Sequence, residues 1–179
     1  MKKTRTLNGV RLKNGCCITA IFVPTLVVFF FLIFGPFPPP PDLEQMEVNF
    51  QENKEQIFIV RDYLVGLDYE IVSIDWFNFG GTMFAGLEHG RISIDNKVVT
   101  DAIYHLHQNG YYVIGKGGDG IRFLNWRTRN HGRGIVYSMH GNTPTESDGL
   151  TFLTRIEPLS EEGWYYFVVD FHVWRSRNR

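Results

Sequence analysis

Cysteine is almost absent from this chain of 179 residues, and its placement excludes several kinds of site. The two cysteines are adjacent, Cys16 and Cys17, at the start of an apolar run. The chain beyond this run therefore offers no disulfide, no thiolate zinc site and no cysteine nucleophile. We interpret the pair as small apolar residues at a membrane boundary, with lipidation as the alternative.

Acidic residues are absent from the first 41 residues, which carry five Lys and Arg. Residues 42–179 hold the other 13 Lys and Arg against all 19 Asp and Glu. Binding nucleic acid through a general phosphate field requires clustered positive charge on one face, so this acidic part of the chain predicts no nucleic-acid partner.

Charge is also missing from the 19 residues between Cys16 and Phe34. A helix of this length spans roughly 28 Å, close to the ~30 Å hydrocarbon core of a bilayer. Its length and the bulky phenylalanines at its end favour an uncleaved anchor over a cleaved signal peptide, which is the alternative. The basic residues before it and the acidic segment after it predict a single-pass protein of the cell membrane with a cytoplasmic N-terminus.

Proline is concentrated in one place, with five prolines at positions 36–41. Successive prolines favour an extended polyproline II form, so this segment predicts a stiff spacer of roughly 15 to 20 Å. A ligand for aromatic-grooved domains is the alternative. The predicted organisation is a cytoplasmic N-terminus (1–15), a transmembrane helix in the lipid bilayer (16–35), a proline-rich spacer (36–41) and one extracytoplasmic domain (42–179).

The pattern of residues 42–179 predicts an α+β domain, with about two helices packed on a mainly antiparallel sheet. Asp42 and Gln45 form a helix-start pattern, and apolar spacing predicts a helix, continuous or interrupted, over about 43–66. Asp95 is the expected cap of a second helix that stops at Gly110. Most of the remaining residues of this domain are predicted to form strands joined by short connections. The segment "GGDG" at 117–120 is typical of a hairpin turn rather than a phosphate loop.

The last strand, "WYYFVVDFHVW", contains two alternating sets of mostly apolar side chains. We expect the set at 165, 167, 169, 171 and 173 to face the core. The set at 164, 166, 168, 170, 172 and 174 is then the partly wet face.

Catalytic and metal-binding motifs are missing from the sequence. It contains neither Gly-x-Ser-x-Gly nor His-Glu-x-x-His. His105 and His107 are two positions apart on a predicted helix and would point to different faces, so they are not expected to share a metal. We predict no catalytic residue, no metal and no cofactor.

One stretch, "RFLNWRTRNHGRG", concentrates positive charge in an otherwise acidic domain. Arginine next to aromatic residues can bind carboxylate or phosphate and stack on rings. The alternative is that these arginines pair with the domain's own acids. The candidate contacts for an anionic group or a partner are Arg122, Arg127, Arg129, His131 and Arg133.

The sequence as a whole favours a membrane-anchored, non-catalytic binding, sensing or interaction module with a protein or anionic envelope partner. A cell-envelope hydrolase using carboxylates and histidine is the alternative, and a protein that neutralises a toxin or inhibits an enzyme is a third hypothesis.

The predicted topology can be tested with protease added to intact spheroplasts. We expect digestion of residues 42 onward while an N-terminal epitope before residue 16 stays protected, because only the outer domain is accessible. Protection of the domain in intact spheroplasts, with digestion after lysis, would show the opposite orientation.

Overall fold

The computed structural model describes residues 39–75, 80–128, 131–148 and 150–171. In these ranges no helix has the length and apolar character needed to cross a bilayer. The predicted cytoplasmic segment, the predicted span at 16–35 and the first part of the spacer all lie outside the described residues, so they remain predictions.

The predicted first helix is two helices, α1 (Leu43–Glu52) and α2 (Lys54–Val65). The Asp42 and Gln45 capping box that the sequence predicts is present. Asn53 separates the helices: it ends α1, precedes α2, and its side-chain amide donates to the Asn49 carbonyl at 2.8 Å. Asparagine side chains compete with the backbone for hydrogen bonds in this way, which explains an interruption here.

After a single helical turn at Gly86–His89, the third long helix, α3, spans Lys97–Gln108. Its cap is Asn96, one residue later than the predicted Asp95, because the Asn96 side chain accepts from the backbone N–H groups of Val98 and Val99. Gly110 follows the helix with φ of 89°, the left-handed stop that the sequence predicts.

The described residues contain eight strands in one sheet, and every strand pair in it is antiparallel. The sheet order is β3, β2, β1, β4, β5, β6, β8, β7. The α+β prediction is confirmed, with three helices where about two were expected. The strands are β1 (Val72–Asp75), β2 (Thr82–Phe84), β3 (Arg91–Ser93), β4 (Val113–Gly117), β5 (Gly120–Arg127), β6 (His131–Ser138), β7 (Leu153–Pro158) and β8 (Trp164–Asp170).

The "GGDG" segment is a hairpin turn, as its composition predicts. Gly117 pairs with Gly120, which leaves Gly118 and Asp119 as the two turn residues between β4 and β5. Gly118 has φ of 56°, a conformation that glycine adopts without strain.

The two faces of the sheet bury different groups of apolar side chains. The face that we call the helix face packs with α1, α2 and α3 into the main core, to which it contributes Ile121, Phe123, Ile135, Trp164 and Tyr166. The opposite face, which we call the loop face, carries a smaller cluster that includes Leu150 from the loop before β7. Its other buried members are Leu124, Val136, Phe167 and Val169.

The prediction for the faces of β8 is only partly right, because Phe167 and Val169 are buried as expected but Trp164 and Tyr166 are buried too. The expected wet set supplies Trp164 and Tyr166 to the main core, whereas Phe167 and Val169 of the expected core set lie in the smaller cluster on the loop face. Alternation showed two faces, but β8 is an interior strand and both of its faces are apolar, so the pattern could not reveal which face the helices cover. His172 and Trp174 lie outside the described residues.

Trp164 joins the helices to the sheet. Its ring centroid lies 5.0 Å from that of Phe50 on α1 and 5.8 Å from that of Phe58 on α2. On the sheet, the rings of Phe123 and Tyr137 lie at 5.8 and 5.2 Å. Separations in this range are those at which aromatic rings attract one another beyond their simple burial.

Trp164→Ala should lower the free energy of unfolding by about 3–5 kcal/mol, the usual cost of removing a large aromatic side chain from a core. Urea denaturation of the full chain measures this change. Tyr112→Ala is the control, since Tyr112 is 42% exposed. A loss of the same size in both variants would contradict the central role of Trp164.

Candidate functional site

Four of the five candidate residues are described, and they lie on the two strands of the β5–β6 hairpin, but not as one cluster. Arg122 and Arg127 belong to β5, while His131 and Arg133 belong to β6. Arg129 lies in the connection between these strands, outside the described residues.

A β-bulge in β5 decides which face Arg127 occupies. Leu124 pairs with Gly134, but Trp126 pairs with Arg133, so one extra residue stands between them and the alternation shifts. Simple alternation would put Arg122 and Arg127 on opposite faces. After the bulge both lie on the loop face, whereas Arg133 lies on the helix face with Trp126.

Arg122 and Arg127 line a groove on the loop face with a cavity volume of about 210 Å³. We call it the Arg122 groove. Apart from the two arginines and Thr151, its lining is apolar, and it is formed by Val113, Leu124, Leu150, Phe167, Val169 and Phe171.

Arg122 lies across two glycines of the neighbouring strand β4. A methyl group at Gly115 would come within 3.4 Å of its Nε, and one at Gly117 within 3.7 Å of its Nη1. Gly115 is also the cross-strand partner of Arg122. Burial lowers the pKa of the Arg122 guanidinium, because the charged form loses hydration in this apolar setting.

Arg127 is exposed, and its guanidinium carbon lies 5.6 Å from the centre of the Phe171 ring. This separation is within the range of a cation–π interaction. Arg122 therefore supplies a partly desolvated charge inside the groove, and Arg127 a more hydrated charge on its lining.

The loop before β7 provides another wall of the groove. The Asp148 carboxylate holds this loop, accepting from the backbone N–H of Thr145 at 2.7 Å and from that of Asp119 in the β4–β5 turn at 3.2 Å. A methyl group at Gly118 would stand 2.6 Å from the Ser147 carbonyl oxygen. The glycine thus allows the close approach that brings Leu150 and Thr151 to the groove.

Arg133 binds the end of the proline-rich spacer. Its Nη1 donates to the carbonyl oxygens of Pro41 at 2.9 Å and Pro40 at 3.4 Å. His131 lies near the same end of the sheet with its Nε2 3.7 Å from Asp170 Oδ2. Neither residue lines the Arg122 groove.

The histidines do not form a metal site in the part of the chain that the structure describes, where no group of three His, Cys, Asp or Glu side chains could hold a metal ion. His105 is exposed and His107 is buried, which confirms that these two point to different faces of α3. The His107 Nδ1 lies 2.6 Å from the Tyr111 carbonyl oxygen, so Nδ1 is the donor.

Two other depressions contain the polar groups that the Arg122 groove lacks. One, of about 510 Å³, follows α1 and is lined by carboxylates and amides that include Asp42, Glu44 and Glu52. The other, of about 250 Å³, lies over Ser73, Asp75 and Arg91. Acidic side chains along a helix surface are usually solvated, so the depression along α1 favours a specific ligand less strongly than arginines in an apolar groove.

Sequence reasoning missed the apolar and glycine residues that form the groove, including Gly115, Leu150 and Phe171. A usable signal was present in "GKG", where alternate glycines of one strand leave space for a long side chain from the next. The bulge at Asn125 had no comparable signal.

Comparison with protein-family models, curated proteins and solved structures finds no match to this chain. The function must therefore be inferred from the residues themselves.

Stability should depend on pH through His107. Burial is the largest effect on its pKa and lowers it, while the hydrogen bond to Tyr111 and the charge of Asp75 oppose this. An unfolded histidine titrates near pH ~6.5, so in slightly acidic solution the unfolded state binds more protons than the folded state and stability falls as pH decreases.

We expect the melting temperature to fall between about pH 7.5 and about pH 5.5, a range that brackets the titration of an unfolded histidine. The fall should be smaller in His107→Gln, as measured by scanning calorimetry of the full chain. His105→Gln, at an exposed position of the same helix, should retain the full fall. Equal falls in the parent and in His107→Gln would exclude His107 as the cause.

Proposed function

We propose that this protein is a membrane-anchored, non-catalytic binding module whose Arg122 groove receives an apolar group that ends in a carboxylate. The observation that carries the proposal is the half-buried Arg122 guanidinium in an otherwise apolar groove with Arg127 also on its lining. The predicted N-terminal anchor would place this groove outside the cell membrane.

A carboxylate is the chemical group that such a groove would favour. Charges attract more strongly where water is partly excluded, and burial has already removed some of the hydration of Arg122. A guanidinium can hold both oxygens of a carboxylate through two parallel hydrogen bonds. The apolar lining residues, such as Phe167 and Val169, would cover the rest of the ligand.

The size of the groove limits the ligand. At about 210 Å³ it is smaller than the ~300–1,000 Å³ typical of sites that enclose a drug-sized molecule. It suits a single apolar side chain with a nearby carboxylate, such as the C-terminal residue of a partner peptide. A long polymer would contact it through one such group.

The lining of the groove supports binding rather than catalysis. Its described residues include no carboxylate, histidine, serine or lysine, and Thr151 is the one hydroxyl-bearing side chain. General acid–base catalysis needs a titratable group within hydrogen-bond reach of the reacting atoms. The hydrolase alternative therefore gains no support at this site.

Titration of the full chain with 3-phenylpropionate tests the proposal, with chemical shift changes in NMR spectra as the readout. We expect binding that Arg122→Gln weakens by about tenfold or more, since a hydrogen bond to a charged group contributes about 1.5–3 kcal/mol. Arg122→Lys should retain part of the affinity, because it keeps the charge but not the paired donors.

Arg155→Gln is the matched control, an arginine of the edge strand β7 that does not line the groove. The neutral amide of the same probe should bind at least several-fold more weakly to the parent protein. Equal affinity for the acid and the amide, or unchanged affinity in Arg122→Gln, would overturn the proposal.

A further inference from the structure

Side-chain donors on the helix face hold the carbonyl oxygens of Pro40 and Pro41, the end of the proline-rich spacer. Besides the two bonds from Arg133, the Tyr166 hydroxyl donates to the Pro41 carbonyl oxygen at 3.2 Å. The guanidinium carbon of Arg133 also lies 5.7 Å from the centre of the Trp126 ring. We call Trp126, Arg133 and Tyr166 the spacer site.

We propose that the spacer site is an internal docking site for the chain's own proline segment, which fixes the spacer to the sheet. It lies on the face opposite the Arg122 groove and does not depend on the proposed ligand.

The chemistry of the site fits a proline segment. Proline has no backbone N–H, so consecutive prolines cannot join a sheet ladder as donors, although their carbonyl groups remain acceptors. Domains that bind proline-rich peptides use aromatic side chains together with the extended form that the peptide already has. Here a tyrosine hydroxyl and an arginine supply the donors, and the ring of Trp126 lies next to the arginine.

The two donors occupy neighbouring positions on the sheet. Arg133 is directly opposite Val168, and Tyr166 is directly opposite Ile135, so the two donors are diagonal neighbours on adjacent strands. The Tyr166 side chain belongs to the main core and is fully buried. Little side-chain freedom is therefore lost on docking, which favours binding even by a short segment.

Docking also restricts the chain between the spacer and α1. Pro41 immediately precedes Asp42, whose side chain caps α1 through the N–H of Gln45 at 2.9 Å. At this junction Pro41 is bound to the sheet and Asp42 is bound to α1. Pro40 and Pro41 are therefore held against the sheet where the domain begins.

A nitroxide at position 39 tests the docking. Pro39 is exposed and makes no bond in the spacer site, so Pro39→Cys can carry the label in a full chain with Cys16→Ser and Cys17→Ser. Electron paramagnetic resonance in detergent solution then measures the mobility of the label. We expect a strongly immobilised label that becomes several-fold more mobile in Arg133→Gln/Tyr166→Phe.

Two variants separate docking from general stability. Tyr166→Phe keeps the buried ring and removes one hydrogen bond, so it should give an intermediate mobility with the fold intact. Arg155→Gln is the matched control: its guanidinium carbon lies 5.7 Å from the Tyr166 ring centre, and no hydrogen bond joins it to the spacer among the described residues. This variant should leave the label immobilised.

A label that is equally mobile in the parent and in Arg133→Gln/Tyr166→Phe would overturn the proposal. So would an unchanged, immobilised label in Tyr166→Phe and Arg133→Gln measured singly, with circular dichroism showing folded protein. Neither result would affect carboxylate binding at the Arg122 groove.

Discussion

The packing of Trp164 against both helices and sheet is the interaction on which the rest of the domain depends. It connects α1 and α2 to β5 and β6, and it fixes which face of β8 meets the helices. Since side chains alternate along a strand, this one placement directs Tyr166 toward the spacer and Phe167 toward the Arg122 groove. Two sites of different chemistry thus result from one register.

Much of the fold could be predicted because local signals and tertiary packing agree. The Asp42 cap, the Gly110 stop and the "GGDG" turn each depend on a few adjacent residues, so their sequence patterns are sufficient. The faces of β8 could not be assigned, because both faces are apolar and the choice depends on partners distant in sequence. The two alternating sets of β8 side chains would have been ranked almost equally by their burial alone.

The candidate site was only partly predictable for a similar reason. The arginines of "RFLNWRTRNHGRG" are close in sequence, and the structure places the described ones on adjacent strands. The bulge between Leu124 and Trp126 then reverses the alternation of β5, so Arg127 joins Arg122 on the loop face, whereas Arg133 follows the unbroken alternation of β6 and faces the spacer. A one-residue shift changes the face of every side chain that follows it in the strand. The composition of β5 contains no pattern that predicts such a shift.

The segment "HGRG" in β6 shows how one strand contributes to both sites. Arg133 points to the helix face, and its neighbours Gly132 and Gly134 occupy the loop face. A methyl group at Gly132 would meet Val169, Leu124 and Phe171 at 3.0 to 3.4 Å, and one at Gly134 would meet the Phe123 carbonyl oxygen at 2.2 Å. Glycine is therefore required for the close contacts beneath the groove, while the arginine between them binds the spacer. The two roles use opposite faces of a pleated strand. Either role can therefore change without altering the chemistry of the other.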